Sequence, residues 1–438
     1  MTRLGRLLAV TALTAALTPA PQAHAAVTPP PIDETRLPAA GPARPPRPTE
    51  QREDCVATRA PTGRGRILDD LPNVWALTRG AGQTVAVIDT GVARHRRLPH
   101  LVPGGDFVAA ADGTADCDGH GTIVAGIIAA AADPADPHAF GGIAPEVSLL
   151  SIRQSSNKFR YTDDAGPGVG DVETLASAVR LAADLGATVI NISSVACLSA
   201  DGGLDDRALG AALAYAVDVT NTVVVSAAGN VGAAGQCPGQ NFRVAAGSDA
   251  VSVVASPAWY DDYVLTVGSA AADGSASDFS LAGPWVDVAA PGENVVSLAP
   301  AGDGLVDSSP SGNALSGTSY AAPMVAGVAA LVRTRHPELT ARQVMARIED
   351  TARHPASGWD PAVGHGVVDV LAAVGDLTPG SPPRAATSLS DSPGETRPTA
   401  AAAPVRGVLL CAGLVGGVAV LCAALRRSRP RGDDVSAG

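Results

Sequence analysis

The 438-residue sequence has few aromatic residues, which make up 3% of it, and Lys158 is its single lysine among 31 basic residues. Acidic residues outnumber basic ones, giving a formal net charge of −12, and no basic stripe is interleaved with aromatic residues. Because nucleic-acid binding needs a basic face, this composition argues against nucleic acid as a partner. A hydrophobic fraction of 46% excludes a globally disordered chain and fits a packed core.

The N-terminal segment has the organisation of a signal peptide. Arg3 and Arg6 precede an apolar stretch at residues 7–17, which is followed by the small-residue site Ala23-His24-Ala25. Residues 1–25 are therefore predicted to be a signal peptide, and the rest of the chain is predicted to be exported.

A second apolar segment lies near the C-terminus and predicts a transmembrane helix over residues 405–425. Residues 408–425 are uncharged and long enough to cross a bilayer. A buried helix of a soluble domain could be equally apolar, but four arginines follow within residues 426–431. Arginine on that side predicts a cytoplasmic tail, residues 426–438. The expected location is the cell membrane, as a single-pass type I protein with its main domain extracytoplasmic.

Six cysteines divide between these regions. Cys411 and Cys422 lie in the predicted span and are interpreted as apolar filling. The other four lie in the exported part, where disulfides form: Cys55, Cys117, Cys197 and Cys237. Four cysteines permit three pairings, and their spacing does not choose between them.

Between the two ends, composition and periodicity predict three regions. Residues 26–68 are proline-rich and predict an extended arm, and residues 377–404 are rich in Pro, Ser, Thr and Ala and predict a flexible stalk. Residues 69–376 alternate apolar strands with alanine-rich helices, which indicates an α/β fold of three layers with a central parallel sheet. The predicted strands cover 84–88, 147–152, 189–192, 223–225, 251–254 and 264–267, and the predicted helices 122–132, 172–185, 207–217 and 319–336.

Three polar residues stand at predicted element ends inside glycine-rich motifs. Asp89 ends the first strand in VAVIDTGV, His120 begins a helix in DGHGTIVAGI, and Ser319 lies in SGTSYAAPMVAGV. Taken singly they have ordinary interpretations: a turn aspartate, a satisfied polar histidine and a helix-capping serine. Together they supply a nucleophile, the imidazole that accepts its proton and the carboxylate that orients the imidazole. Their order, Asp, His, Ser, is that of subtilisin.

The same chemistry requires hydrogen-bond donors for the oxyanion of the tetrahedral intermediate. A predicted strand runs into the turn Ala228-Gly229-Asn230, which presents an amide side chain at the end of the sheet. We therefore expect Asn230 and the backbone N–H of Ser319 to form the oxyanion hole.

These motifs resemble those of the subtilase family, through D-T-G, H-G-T-x-x-A-G and G-T-S-x-A-x-P, over residues 71–374. Within it the chain resembles the mycosins, the membrane-anchored proteases of actinobacterial type VII secretion systems. Stretches such as ADCDGHGT, INISSVAC, AGPWVDVAAPG and GTSYAAP carry this narrower likeness. The resemblance implies a subtilisin-like fold, protein or peptide substrates, the disulfides Cys55–Cys117 and Cys197–Cys237, and an arm that wraps the catalytic domain.

The resemblance also implies where a substrate would bind. By analogy with other subtilases, the P1 side chain would lie beside two segments, Ser193, Ser194 and Val195 on one side and Ala227, Ala228 and Gly229 on the other. Val195 stands where subtilases with wide pockets have glycine, which hints at a restricted pocket.

Metals and cofactors are not expected. Many subtilases bind structural calcium, but the acidic residues Asp112, Asp116 and Asp118 lack the spacing of a calcium loop, so we interpret them as a solvated acidic loop.

Two functions remain open from the sequence. One is endoproteolysis of exported proteins at the outer membrane face. The other is a structural role in a type VII secretion membrane complex, with proteolysis secondary.

Overall fold

The computed structural model describes residues 27–57, 70–132, 140–164, 166, 168–232, 237–241 and 251–376. The predicted signal peptide, stalk, transmembrane helix and cytoplasmic tail lie outside the described residues. Among the residues that are described, no helix combines the length and the apolar character needed to cross a bilayer.

A parallel sheet forms the centre of the molecule. In chain order the described strands are β1 Thr49–Gln51, β2 Thr84–Asp89, β3 Leu101–Asp106, β4 Ser148–Arg153, β5 Phe159–Tyr161, β6 Val189–Ile192, β7 Ala196–Ser199, β8 Val223–Ala227, β9 Val253–Ser256, β10 Leu265–Ala270, β11 Val288–Pro291, β12 Ser297–Leu298 and β13 Leu305–Val306. Seven of them form the central sheet in the order β11-β10-β8-β6-β2-β4-β3, and every neighbouring pair is parallel. Parallel strands buried on both faces account for the continuous Val, Ile, Leu and Ala runs.

The helices form two groups around this sheet: α1 Leu71–Trp75, α2 His120–Ala129, α3 Val172–Asp184, α4 Arg207–Ala214, α5 Thr318–Arg335, α6 Ala341–Asp350 and α7 Val370–Val374. Helices α2 and α5 pack on each other and are buried over most of their surface, as their Ala, Val and Gly content requires. Helices α3 and α4 pack together, and α3 is amphipathic and begins with a capping box between Asp171 and Thr174. The three-layer α/β architecture with a parallel sheet, expected from the alternation, is confirmed.

The element ends differ from the prediction in a few places. Strand β3 was not predicted, because Pro103 and two glycines in its short sequence are typical of a loop. The helix predicted over 207–217 is α-helical only as far as Ala214. It continues as a π-helix over Tyr215–Val219. Local propensity does not anticipate this change in hydrogen bonding.

Residues 27–57 lie against the α/β unit. They contain a 3₁₀ turn, Glu34–Arg36, and strand β1, which pairs antiparallel with β5. The Cys55–Cys117 disulfide joins this segment to the loop that precedes α2, and the N–H of Val56 donates to the carbonyl oxygen of Cys117 (2.9 Å). The described part of the proline-rich region is therefore attached next to α2 by a covalent bond.

Candidate active site

Asp89 is the last residue of β2, which pairs with β4 on one side and β6 on the other. Its side chain is 2% exposed, and its Oδ1 accepts hydrogen bonds from the N–H of Thr90 (2.7 Å) and from Nδ1 of His120 (2.8 Å). Two donors fix one carboxylate oxygen in place at the carboxyl end of the sheet, where functional groups of parallel sheets gather. This geometry assigns the proton of the imidazole to Nδ1.

His120 is the first residue of α2, and glycines on both sides allow this helix to begin beside β2. Gly119 has a φ of +83°, which disfavours side chains at this position. A Cβ on Gly121 would collide with the carbonyl oxygen of Gly91 and would stand 3.2 Å from Cβ of Asp89. The motif D-G-H-G therefore contains glycine where the backbones approach most closely.

Asp116 supports the loop that carries His120. Its Oδ1 accepts from the N–H of Gly119 (2.7 Å) and from Oγ1 of Thr90 (2.9 Å). Its Oδ2 accepts from the N–H (2.8 Å) and Oγ1 (2.6 Å) of Thr122. Burial raises the pKa of Asp116 to about 6, against the opposing effect of the hydrogen bonds from Thr122. One carboxylate thus joins the segment after β2 to the first turn of α2.

The interpretation of this loop as solvated holds for Asp112, which is exposed and caps Thr114, and is wrong for Asp116 and Asp118. Asp118 accepts a hydrogen bond from the N–H of Asn157 (2.7 Å) as well as one from a serine hydroxyl. The acidic side chains therefore serve as internal hydrogen-bond acceptors. In the part of the chain that is described, no three His, Cys, Asp or Glu side chains form a group able to hold a metal ion.

The electrostatic environment favours protonation of His120, whose side chain is 29% exposed. Burial alone lowers the pKa of His120, but the charge of Asp89 and its hydrogen bond raise it, and Asp116 and Asp118 add to the effect. The net result is a pKa above the ordinary value of 6.5. An imidazole in this setting is a stronger base than in water, and its protonated form has a fixed counter-charge.

Ser319 lies in the first turn of α5, directly after Thr318 and Gly317. Gly317 has extended backbone, and a Cβ on it would stand 3.1 Å from Oγ of Ser319 and 3.6 Å from Nδ2 of Asn230. The serine hydroxyl and the asparagine amide therefore face the same narrow space beside Gly317. The helix N-terminus adds a dipole that is favourable for negative charge there.

Tyr320 links this helix end to the histidine. Its ring centroid lies 5.4 Å from that of His120, with the two planes inclined at 37°. Since Tyr320 follows Ser319 directly, the contact brings the N-terminus of α5 to the N-terminus of α2. Burial raises the pKa of the Tyr320 hydroxyl, so this residue stays neutral.

Asn230 follows β8 and is held from both its side chain and its backbone. Its Oδ1 accepts from the N–H (2.9 Å) and Oγ1 (3.1 Å) of Thr318, and Oγ1 of Thr318 in turn accepts from the N–H of Gly229 (3.2 Å). Its carbonyl oxygen accepts from the N–H of Cys237 (3.1 Å). With Oδ1 occupied on the Thr318 side, the amide directs its Nδ2 donor toward the space shared with Ser319.

The segments expected to contact substrate leave the sheet side by side. Strands β6 and β8 pair so that Ile192 stands opposite Ser226. The residues that follow each strand are therefore neighbours: Ser193, Ser194 and Val195 after β6, and Ala227, Ala228 and Gly229 at the end of β8. Ser193 is buried and its Oγ accepts from Nδ2 of Asn191 (2.8 Å), whereas Ser194 and Val195 are partly exposed.

The structure contains both disulfides that the resemblance implied, Cys55–Cys117 and Cys197–Cys237. The first joins the N-terminal segment to the loop before His120, and the second joins β7 to the loop after Asn230. Each bridge thus lies close to one part of the candidate site.

Sequence reasoning missed three residues that shape this site: Asp116, Thr318 and Tyr320. Thr318 stands in the middle of the G-T-S motif, so its position was visible, but its bond to Asn230 depends on a partner 88 residues away. Asp116 was assigned to solvent because its acceptor role depends on the fold of the loop. Tyr320 follows Ser319 in the motif, but its contact with His120 depends on how α5 meets α2.

Comparison with known proteins gives consistent relatives. A model of the Subtilase family matches residues 80–366. Mycosin-4 of Mycobacterium tuberculosis (strain ATCC 25618 / H37Rv) is 57% identical over 97% of this chain and 97% of its own length. The structure of the MycP3 protease from the type VII (ESX-3) secretion system is 44% identical, covering 80% of this chain and 100% of that one, with a TM-score of 0.74. A chain in the structure of an intact ESX-5 inner membrane complex is 41% identical over 92% of this chain and 100% of that one, also with a TM-score of 0.74.

Proposed function

The chain belongs to the subtilase family of serine proteases and, within it, to the mycosins, and from that premise we propose the residues, substrates and location of its activity. It is a serine endopeptidase that hydrolyses exported proteins at the outer face of the cell membrane. Asp89, His120 and Ser319 are its catalytic residues, and Asn230 completes the site. The observation that carries this proposal is the 2.8 Å bond from Nδ1 of His120 to Asp89, beside a serine and an amide that share one space.

The mechanism follows from the assignment of hydrogen bonds. With its Nδ1 proton donated to Asp89, His120 keeps the Nε2 lone pair for the hydroxyl proton of Ser319. As Oγ attacks the substrate carbonyl carbon, that proton moves to Nε2 and the carbonyl oxygen becomes an oxyanion. The imidazolium then protonates the leaving amine, the C–N bond breaks, and an acyl-serine remains. A water molecule then attacks the acyl-serine through the same steps, which releases the acid and restores Ser319.

Asn230 and the N–H of Ser319 stabilise the oxyanion in each half of this cycle. Removal of one such donor costs roughly 10²–10³ in kcat, because a preorganised dipole faces charge that appears only in the transition state. The Thr318 bonds to Oδ1 supply the preorganisation, since they fix which end of the amide faces the reacting carbonyl.

Substrate is expected to bind as an added strand along the segments after β6 and β8. An extended peptide pairs its backbone with such free edges, and its P1 side chain enters the space between them. Ser193, Ser194 and Val195 form one wall in this proposal and Ala227, Ala228 and Gly229 the other. The side chain of Val195 narrows the P1 pocket at a position where subtilases with wide pockets have glycine, which favours a P1 residue of limited size.

The location and partner of this chain are proposed from its ends and its relatives. Residues 1–25 would direct export, and residues 405–425 would anchor the chain with residues 69–376 outside, on a stalk formed by residues 377–404. A similar chain is part of the ESX-5 inner membrane complex, and the present chain covers all of it. We therefore propose that this protein associates with a type VII secretion membrane complex.

That same observation favours a second function, as a structural subunit of the complex with proteolysis secondary. The two functions separate in an experiment with two lesions in the native host. Ser319→Ala removes one oxygen and keeps every outer surface, whereas deletion of the chain removes both chemistry and surfaces. A protein with both roles would lose substrate cleavage but keep secretion in Ser319→Ala, and would lose secretion on deletion.

Three other results are informative. Equal secretion defects from both lesions would refute a separate structural role. Normal secretion after deletion would indicate a surface protease unconnected with export. Retained cleavage of a peptide substrate by purified Ser319→Ala protein would contradict the assignment of the nucleophile.

A further inference from the structure

The Cys197–Cys237 disulfide lies directly against the residue that precedes Asn230. A Cβ on Gly229 would stand 2.9 Å from Sγ of Cys237 and 3.2 Å from Sγ of Cys197. Gly229 has a φ of +108°, a conformation that residues with side chains rarely adopt. Both sulfur atoms thus occupy the space that a side chain on Gly229 would fill, and they pack on its backbone.

Each half of the bridge is attached to a different part of the site. Cys197 lies in β7, two residues after Val195, and β7 pairs antiparallel with β9, where Cys197 stands opposite Ala255. Cys237 donates its N–H to the carbonyl oxygen of Asn230 (3.1 Å). The bridge therefore connects the paired strand that follows the Ser193–Val195 wall to the backbone of the Asn230 loop.

Asn230 is consequently held through both its side chain and its backbone. Thr318, in the first turn of α5, holds the side-chain Oδ1, and the bridge holds the backbone through Gly229 and the carbonyl oxygen. On the other side of this backbone, the N–H of Leu281 donates to the carbonyl oxygen of Gly229 (3.0 Å) and the N–H of Val231 donates to the carbonyl oxygen of Phe279 (2.8 Å). The bridge adds the contact with the Cβ side of Gly229, and a shift of the backbone there would change the direction of Nδ2.

We propose that the Cys197–Cys237 disulfide is a positioning element for the oxyanion donor Asn230, which makes full activity dependent on this bridge being oxidised. The proposal deepens the proposed function and rests on it. The cysteines act through Asn230 and do not touch substrate. Geometric errors of about 1 Å in a catalytic constellation reduce turnover strongly, because the donor no longer points at the oxyanion.

The test uses the full-length protein and a double-mutant cycle. The variants are Cys197→Ala with Cys237→Ala, Asn230→Ala, and the combination of all three substitutions. For each, kcat and KM are measured with a fluorogenic peptide selected from an unbiased peptide mixture. The inhibition constant of a peptide aldehyde of the same sequence is also measured, because its adduct presents an oxyanion.

Removal of the bridge is expected to lower kcat about tenfold, part of the 10²–10³ attributed to a whole donor, with KM within about twofold. The aldehyde should bind about tenfold more weakly. In the Asn230→Ala background, removal of the bridge should change kcat by less than about twofold, since the donor that the bridge positions is absent and only the N–H of Ser319 remains. Removal of the other bridge, by Cys55→Ala with Cys117→Ala, serves as the matched control and should combine with Asn230→Ala additively.

A second measurement avoids any dependence on whether the substituted protein folds. The variant that retains only Cys197–Cys237 is assayed oxidised, after treatment with a phosphine reductant, and after reoxidation, and its kcat should fall and return. An unchanged kcat on reduction would overturn the proposal. A rise in KM alone would overturn it too, because the bridge would then shape the P1 wall. The proposal would also be overturned if removal of the bridge lowered kcat as much in the Asn230→Ala background as in the wild-type protein.

Failure of the underlying function has a different signature. If Asn230→Ala keeps its kcat while Ser319→Ala is inactive, serine chemistry stands and the oxyanion role of Asn230 is wrong. The positioning role of the bridge is then wrong as well. If Ser319→Ala remains active, the nucleophile itself is misassigned.

Discussion

Replacement of Asp89 by asparagine tests the relation between the carboxylate and the imidazole with almost no change in shape. Oδ1 of Asp89 accepts from both Thr90 and His120, while Oδ2 is buried and has no hydrogen-bond partner among the residues that the structure describes. An asparagine that keeps oxygen toward the two donors must bury its amide nitrogen without an acceptor. An asparagine that turns its amide nitrogen toward His120 forces the tautomer in which the imidazole proton lies on Nε2. Nε2 then cannot accept the serine proton.

Either arrangement lowers turnover. The first removes the negative charge that stabilises the imidazolium, and the second removes the base. Loss of the triad carboxylate in this way costs about 10⁴ in kcat, which corresponds to about 5 kcal/mol of transition-state stabilisation. We expect a loss of this size in Asp89→Asn, with KM changed by less than about threefold.

The pH dependence provides an independent measurement. The proposed mechanism requires neutral His120, so wild-type kcat/KM should fall as pH decreases through the pKa of His120, which lies above 6.5. Burial is the largest influence and lowers this pKa, and Asp89 reverses it. Without the carboxylate, burial prevails, so the acidic limb of the residual activity in Asp89→Asn should move to lower pH.

Folding stability should also depend on the protonation of His120. Because the folded pKa of His120 is raised, its protonation stabilises the fold below about pH 6.5, and this contribution is lost as pH rises through the folded pKa. In Asp89→Asn the contribution should reverse, so that the melting temperature falls between pH 7.5 and 5.5 relative to wild type. Calorimetry measures the melting temperature and steady-state kinetics measures kcat/KM, both over pH 5–9.

Asp112→Asn is the matched control, because it removes one charge from an exposed side chain in the same loop as Asp116. It should leave kcat and the acidic limb unchanged within error. Retention of more than about a tenth of wild-type kcat in Asp89→Asn would refute the proposed role of Asp89. That role is also refuted if the acidic limb of Asp89→Asn coincides with that of wild type.

Three further predictions follow from other residues. Activity should survive mild peroxide, because Tyr320 stands where many subtilisins have a methionine after the nucleophile, and Met324 is 2% exposed. A rapid loss of activity that tracks oxidation of Met324 would contradict this. The mature protein should begin at or near Ala26, since the proline-rich segment is too short for a folded inhibitor; a start near Leu71 by N-terminal sequencing would mean that the segment is removed. Asp206→Ala should destabilise the fold by about 3 kcal/mol in urea unfolding, because it removes the carboxylate that accepts from the buried Oγ of Ser256 and Nε1 of Trp259. The hydroxyl of Tyr260 would keep the backbone carbonyl of residue 206 as its acceptor. A loss below about 1 kcal/mol would contradict the role of this carboxylate.

The features that could be predicted from the sequence are those determined by neighbours along the chain. Buried strands and alanine-rich helices have local periodicities, so the parallel sheet and its helical layers followed from pattern alone. Glycine is needed at Gly119 for its positive φ and at Gly121 for the close approach of the Gly91 backbone, and that need leaves a recognisable motif. For the same reason Asp89, His120, Ser319 and Asn230 were identified as candidates before their positions in space were known.

Other features depend on residues that are distant in the chain, and only the tertiary structure determined them. Spacing left three ways to pair the four exported cysteines, and the fold contains one of them, with partners 62 and 40 residues apart in the sequence. Asp116 looked like a solvated acid because its four donors assemble only when the end of β2 meets α2. The orientation of Asn230 likewise depends on Thr318, 88 residues away, because an amide has no preferred direction until a partner occupies one end. Long-range hydrogen bonds and sulfur contacts leave no local periodicity, so composition and spacing did not predict them, and the two disulfides were expected only from the family resemblance.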